Sequence, residues 1–164
     1  GNGLTKEELG QLILSSERQL YATARTILAD DQDCADAIQE SIVRALSKIH
    51  TLKNDRYVKT WLIRILINEC YNITRQSGMK EQWNESYAEA MILHEEHHDY
   101  SELYKAVNNL KEDLRVPVVL YYMEEFSVKE VARILDISEG AVQKRLARAR
   151  AKLKKVVHLE EIFI

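Results

Sequence analysis

The chain has 164 residues, 46% of them hydrophobic, which is enough for one domain or for two small ones with separate cores. It contains one proline and five glycines, too few for a fold with many tight β-hairpins, and this predicts an all-α protein. The formal net charge of -3 is unevenly spread: residues 81 to 102 carry seven acidic side chains and no lysine or arginine, whereas residues 141 to 155 carry seven cations and no acid. No apolar run approaches the roughly 20 residues that cross a bilayer, and no signal-like segment opens the chain, so we expect a cytoplasmic protein.

Apolar residues recur at helical spacing in three segments near the start of the chain. The segments run from Leu9 to Ile27, from Ala35 to Ile49 and from Trp61 to Ile73. Aspartate and asparagine, which favour turns and helix starts, separate them at residues 29 to 33 and 50 to 55. We therefore predict three amphipathic helices in this part of the chain.

The third predicted helix has a polar and aromatic stripe opposite the side that carries Trp61 and Ile65. Bases stack on aromatic rings, while arginine and asparagine contact phosphates or base edges, so the stripe is typical of a surface for single-stranded nucleic acid. Trp61 itself is expected in the core, because it belongs to the apolar side. The stripe consists of Arg64, Asn68, Tyr71 and Arg75.

Residues 79 to 101 have a weak apolar period and an acidic charge, which indicates a linker. Within it, HEEHH at residues 94 to 98 matches the HExxH pattern of zinc metalloproteases. No further histidine follows before His158, and a linker offers no orienting second shell, so we interpret the match as fortuitous. Adventitious metal binding by His94, His97 and His98 remains open, but we predict no catalytic residue, no metal site, no cofactor and no enzymatic activity.

Residues 102 to 157 contain a helix-turn-helix signature. Ser127 and Glu130 form a capping box before one short helix, and Ser138 can cap a second helix after a tight turn. Pro117, further upstream, is expected near a helix start, where its missing N–H is tolerated. The second helix has a predicted buried stripe of Val142, Leu146, Ala149 and Leu153, and Lys144, Arg148, Lys152 and Lys155 share its opposite side. Seven cations without an acid repel one another unless a polyanion is bound, so DNA binding is favoured over a solvated basic hairpin.

This segment resembles the fourth domain of bacterial RNA polymerase sigma factors of the extracytoplasmic-function group. The family pattern LSxxEIAxxLGISxGTVKSRLxRARxxL is similar to FSVKEVARILDISEGAVQKRLARARAKL here. Asp136 stands where the family usually has glycine, and we expect it to adopt a positive φ. The resemblance implies that Gln143, Lys144, Ala147 and Arg148 face the major groove of the upstream (minus-thirty-five) promoter element, that Ser138 and Arg145 contact phosphates, and that Lys152 adds affinity.

The first block resembles domain 2 of the same family. DAIQESIVRAL at residues 36 to 46 is similar to DLVQETFLRAW, the family helix that docks on core RNA polymerase, although taken alone it is equally well a solvated acidic helix. In YVKTWLIRILINECYNITR, residues 57 to 75, the positions of Trp61, Arg64 and Asn68 resemble the family pattern FxxWLxRIxxN, which reads and melts the downstream (minus-ten) element. The resemblance implies polymerase contacts by Asp33, Asp36, Gln39, Glu40 and Arg44. It also implies DNA contacts by Lys53, Asn54, Asp55, Arg56, Tyr57 and Lys59, in addition to the stripe from Arg64 to Arg75.

These observations predict a two-domain helical sigma factor, with domain 2 at residues 4 to 78, an acidic linker at 79 to 101 and domain 4 at 102 to 157. Such a protein binds core RNA polymerase and promoter DNA, catalyses nothing itself and, by the resemblance, is held inactive by an anti-sigma factor. One alternative is a stand-alone helix-turn-helix regulator. A remote alternative is a zinc hydrolase that uses HEEHH.

Overall fold

The computed structural model describes residues 3 to 77 and 101 to 156, and these residues form helices and turns without any β-strand. The prediction of an all-α fold is confirmed for this part of the chain. The chain divides into two compact units, unit 1 at Gly1–Glu81 and unit 2 at Gln82–Ile164. Each unit has its own buried core.

The described residues of unit 1, 3 to 77, form four α-helices, not three. They are α1 (Lys6–Ser15), α2 (Glu17–Ile27), α3 (Asp31–Ser47) and α4 (Val58–Ser77), with 3-10 turns at Ile49–Thr51 and Asp55–Tyr57. The first predicted helix divides at Ser16, whose backbone (φ -104°, ψ 8°) ends α1 and precedes α2. Leu9 and Leu20 are buried on either side of the break. The apolar period alone therefore did not show where the chain turns.

The core of unit 1 lies between α3, α4 and α2. The fully buried residues of α4 are Leu62, Ile63, Leu66, Ile67 and Cys70. The predicted apolar side was partly wrong, because Trp61 and Ile65 are only half-buried. Both cysteines, Cys34 and Cys70, are buried and form no disulfide bond.

Unit 2 contains α5 (Ser101–Asn108), α6 (Glu112–Val118), α7 (Val128–Leu135) and α8 (Glu139–Val156). Pro117 lies near the end of α6, so its predicted position near a helix start was wrong. A π-helical turn, Val119–Met123, follows directly, and the Glu124 N–H donates to the Val119 carbonyl at 2.9 Å. Proline has no N–H to donate to a helical hydrogen bond. A π turn is one way in which the backbone groups that follow form other hydrogen bonds. Pro117 itself is buried, so packing also holds it in place.

The turn between α7 and α8 is built as predicted. The Ser127 hydroxyl accepts from the Glu130 N–H at 3.1 Å, and the Glu130 carboxylate accepts from the Ser127 N–H at 3.0 Å. Asp136 adopts the left-handed conformation (φ 55°, ψ 48°), and the next N–H, of Ile137, bonds back to the Ala132 carbonyl at 3.0 Å. Ser138 then caps α8, its hydroxyl accepting from the Ala141 N–H at 3.0 Å. Local hydrogen bonds thus set where α8 begins.

The two non-glycine residues with positive φ in the described chain, Glu125 (64°) and Asp136 (55°), predict an unequal response to glycine. Left-handed backbone costs an ordinary L-residue about 1 to 2 kcal/mol, whereas aspartate tolerates it better, and glycine adds unfolded-state entropy of about 0.5 to 1 kcal/mol. Glu125→Gly should therefore stabilise the protein by about 0.5 to 1 kcal/mol, more than Asp136→Gly does, and Asp136→Val should destabilise it. Calorimetric unfolding of the full chain measures all three. A loss of stability in Glu125→Gly would contradict the assigned backbone strain.

Candidate nucleic-acid and partner interfaces

Helix α8 presents its cations to solvent because its other side fills the core. Val142, Leu146, Ala149 and Leu153 are at most 1% exposed. A helix advances 100° per residue, so this stripe forces the outer side of α8 to carry the cations. The exposed residues there include those predicted to face the bases, Gln143, Lys144, Ala147 and Arg148, and also Lys152, which is predicted to add affinity for DNA. They form a continuous basic surface along the second helix of the helix-turn-helix.

Ser138, which directly precedes α8, and Arg150 within α8 also make hydrogen bonds inside unit 2. Ser138 uses its hydroxyl oxygen to cap the helix, which leaves the hydroxyl hydrogen to donate to a phosphate. Arg150 donates to the Tyr122 hydroxyl at 2.9 Å, and the Tyr122 ring meets Tyr121 edge to face at 4.8 Å between centroids. Arg150 is therefore anchored toward the core. Arg145, predicted to contact phosphate, is half-buried at the flank of the basic surface.

The outer side of α4 contains the predicted stripe. Asn68 and Arg75 are exposed, and Arg64 and Tyr71 are half-buried. Trp61 precedes Asn68 by seven residues, almost two full turns, so it lies on this same side. Its predicted place in the core was wrong. Residue type misled the prediction, because a tryptophan next to Leu62 continues an apolar pattern even when its ring lies at the surface.

The loop before α4 is polar and exposed from Lys53 to Tyr57, and Lys59 is exposed just after it. The Asn54 side chain accepts from the Arg56 N–H at 3.0 Å and thereby caps the short 3-10 turn. The Asp55 carboxylate accepts from the Leu4 N–H at 3.2 Å, which ties the loop to the start of α1. Two of the predicted DNA contacts thus also shape the loop. The Arg56 guanidinium lies 5.8 Å from the centre of the Tyr57 ring.

Helix α3 exposes an acidic and polar side with one apolar residue in its middle. Asp36, Gln39 and Glu40 are exposed, and Asp33 is half-buried. Burial, together with the negative charges of Asp30 and Asp36, raises the pKa of the Asp33 carboxyl. Val43 follows Gln39 by one turn and is 58% exposed. The prediction omitted Val43, although its position one turn after the polar residues was visible in the sequence.

Arg44, the remaining predicted partner contact, is engaged inside unit 1. Its guanidinium Nε lies 3.3 Å from the Glu40 carboxylate and 2.7 Å from the carboxylate of Glu69. Glu69 lies on α4 and is only 7% exposed. Arg44 therefore bridges α3 and α4 and neutralises a buried charge. Sequence reasoning missed Glu69, because nothing local to α4 shows that a carboxylate there is buried.

Neither a metal-binding cluster nor a membrane-spanning helix is present among the described residues. No group of three or more histidine, cysteine, aspartate or glutamate side chains there is arranged to hold a metal ion. HEEHH, with His94, His97 and His98, lies outside the described residues. None of the helices described is both long enough and apolar enough to cross a membrane.

Two family models match the chain, one in each unit. Residues 12–78 match sigma-70 region 2, and residues 100–153 match sigma-70 region 4. The chain is also similar to RNA polymerase sigma factor SigV of Bacillus subtilis, with 26% identity over 88% of each protein. ECF RNA polymerase sigma factor SigM of Mycobacterium tuberculosis is 28% identical, over 90% of this chain and 76% of that protein.

Solved structures share the fold. The sigma factor RpoE of Bartonella quintana, solved in complex with the anti-sigma factor NepR, superposes with a TM-score of 0.73 at 22% identity. That match covers 94% of this chain and 99% of the other. CnrH, solved in complex with the cytosolic domain of CnrY, gives a TM-score of 0.69 at 24% identity and covers 95% of this chain and 91% of the other.

The bridge between Arg44 and Glu69 predicts a specific pattern of stability. Arg44→Met leaves the Glu69 carboxylate buried without its cation and should destabilise the protein by about 2 kcal/mol, below the full cost of a wholly buried pair because Arg44 is partly exposed. The double variant Arg44→Met/Glu69→Met buries no charge and should recover part of that loss. Glu40→Met, which removes a partner exposed by 51%, is the matched control and should change stability by less than about 0.5 kcal/mol. Urea unfolding measures the series, and equal effects of Arg44→Met and Glu40→Met would contradict the assignment.

Proposed function

This chain belongs to the sigma-70 family of RNA polymerase sigma factors, in its extracytoplasmic-function group, and we propose that its two units divide promoter recognition between them. It is a transcription initiation factor that binds core RNA polymerase and directs it to promoters. The alternatives are not favoured, because neither a stand-alone regulator nor a zinc hydrolase requires sigma-70 region 2, which residues 12–78 match. We assign domain 2 to residues 4 to 78, the acidic linker to 79 to 101 and domain 4 to 102 to 157.

Domain 4 reads the upstream element through the outer side of α8. The exposed basic surface opposite the buried stripe is the observation that carries this assignment. The first turns of the second helix of a helix-turn-helix enter the major groove, where Gln143, Lys144, Ala147 and Arg148 reach base edges. Each good bidentate pair, such as glutamine with adenine or arginine with guanine, discriminates by about 1 to 3 kcal/mol. Ser138, Arg145 and Lys152 contact phosphates and fix the register.

Domain 2 holds the downstream element in single-stranded form. The outer side of α4 supplies Arg64, Asn68, Tyr71 and Arg75, and the preceding loop supplies Lys53 to Tyr57 and Lys59. Trp61 joins this surface, because it lies on the side of Asn68 and is half-buried only. Stacking of a base on an aromatic ring contributes about 1 to 3 kcal/mol, comparable with the roughly 1.4 kcal/mol of stacking lost per opened step. Strand opening is thus driven by binding free energy, and the chain carries out no chemical step.

Core polymerase docks on the exposed side of α3. Asp33, Asp36, Gln39 and Glu40 supply charge and hydrogen bonds, and Val43 supplies an apolar centre. An apolar residue surrounded by polar ones is the usual arrangement of an interface core and its rim. Arg44 contributes from the edge, where it holds Glu40 in place.

The chain acts in the cytoplasm, where its polymerase and promoters are, and needs no cofactor. Among the solved structures with this fold, CnrH is in complex with the cytosolic domain of CnrY, and RpoE is in complex with an anti-sigma factor, NepR. A protein of that class controls this chain by covering the surfaces of α3, α4 or α8 that polymerase and promoter require.

Charge reversal on α3 tests the polymerase surface. Asp36→Arg/Gln39→Ala should abolish co-elution with core RNA polymerase on a sizing column, because a partner that matches an acidic surface repels the new cation. Glu17→Arg, an equal charge change on an exposed residue of α2, is the control and should co-elute like the wild type. Retained binding of the α3 variant would contradict this assignment, and failure of the wild type to bind would contradict the proposed function as a whole.

A further inference from the structure

A hydrogen-bonded chain of side chains crosses unit 1. It runs from the exposed side of α3 that we propose to bind polymerase, the partner side, to the outer side of α4 that we propose to contact DNA, the DNA side. Glu40 and the buried Glu69 both pair with Arg44. The Asn72 amide then donates from Nδ2 to the Glu69 carboxylate at 3.4 Å. Finally, the Arg75 guanidinium donates to Oδ1 of the same Asn72 amide. Hydrogen-bond donors and acceptors therefore alternate along this series of side chains.

Helix geometry explains how a buried residue reaches an exposed one. Residues 69, 72 and 75 follow one another at a spacing of three, so each step rotates by about 60° around α4 and rises by about 4.5 Å. Glu69 is 7% exposed, Asn72 is half-buried and Arg75 is exposed. The three side chains thus lead from the core to the outer side of the helix.

The charge of Glu69 fixes which way the Asn72 amide points. An ionised carboxylate only accepts hydrogen bonds, so Asn72 must turn its Nδ2 inward. Its carbonyl oxygen Oδ1 then faces outward, where it accepts from the Arg75 guanidinium. Without Glu69 either orientation of the amide is open, and an outward Nδ2 cannot accept from arginine.

We propose that Glu69 and Asn72 are positioning residues, which hold the Arg75 guanidinium on the outer side of α4 ready for a phosphate of the downstream element. The inference rests on the proposed function, because it takes Arg75 to contact DNA. Neither Glu69 nor Asn72 touches the promoter itself. Arginine has a long, flexible side chain, so fixing it before binding reduces the entropy lost when the phosphate contact forms. Glu69 also anchors Arg44, so one buried carboxylate supports both the partner side and the DNA side of the domain.

A double-mutant cycle separates positioning from a direct or a purely structural role. The variants are Asn72→Ala, Arg75→Ala and their combination, each assembled with core polymerase and titrated with a promoter fragment at several salt concentrations. Asn72→Ala suits a helix, so the fold should persist, and thermal unfolding checks it. Gln76→Ala, an exposed neighbour outside the hydrogen-bonded chain, is the matched control.

Arg75→Ala should weaken promoter binding and reduce the slope of log K against log salt by about one, as expected for one lost phosphate contact. Asn72→Ala should weaken binding by about threefold to tenfold, the range of one net hydrogen bond, and should have no further effect in the Arg75→Ala background. Fully additive losses would overturn the positioning role while leaving Arg75 as a DNA contact. An Arg75→Ala variant with unchanged affinity and salt slope would instead overturn the assignment of Arg75 to DNA, and the positioning role with it.

Discussion

Burial of one side of α4 and one side of α8 determines where the proposed DNA contacts of these two helices lie. Leu62 and Leu66 in α4, like Leu146 and Leu153 in α8, are almost completely removed from water. Because the helix period is fixed, burying these residues turns the residues half a turn away toward solvent. Burial of a leucine side chain is worth about 1.5 to 3 kcal/mol, more than an exposed charge pair contributes, so packing decides the orientation and the polar residues follow it.

Polar side chains at these surfaces divide into those that bind partners and those that hold the fold. Arg44 and Arg150 illustrate the second group: one neutralises the buried Glu69, and the other is bonded to the Tyr122 hydroxyl. Asn54 and Asp55 belong to both groups, since their side chains shape the loop that we propose to contact DNA. A substitution at any of them changes stability or loop geometry together with binding. Substitutions at Lys144 or Arg148, which are exposed on the outer side of α8, report on binding more directly.

The features that the sequence predicted well depend on residues close together in the chain. The capping box of Ser127 and Glu130, the left-handed Asp136 and the Ser138 cap all use neighbours within three to five positions. The buried stripe of α8 was equally easy to predict, because every fourth or third residue is apolar over about three turns. Family resemblance extended the interpretation to both domains, and the matches at residues 12–78 and 100–153 confirm it.

The features that the sequence did not predict are decided by tertiary packing. Ser16 interrupts an apolar period that continues on both sides, so only the packing of α1 and α2 shows the break. Trp61 appeared to be a core residue by its type, yet the core of α4 is filled by Leu62, Ile63 and Leu66. The pairing of Arg44 with Glu69 joins two residues that lie 25 positions apart in the chain, which no local pattern specifies.

Promoter-directed initiation by the reconstituted enzyme tests the central claim most directly. Core RNA polymerase with the full chain would transcribe a pool of random promoter fragments, and the start sites and sequences of the transcripts would be determined, with Lys144→Ala/Arg148→Ala as the comparison. We predict defined start sites that share an upstream and a downstream motif, and loss of selection for the upstream motif alone in the variant. Transcripts with no shared motif, from a chain that still binds duplex DNA tightly in the absence of polymerase, would contradict the sigma-factor account.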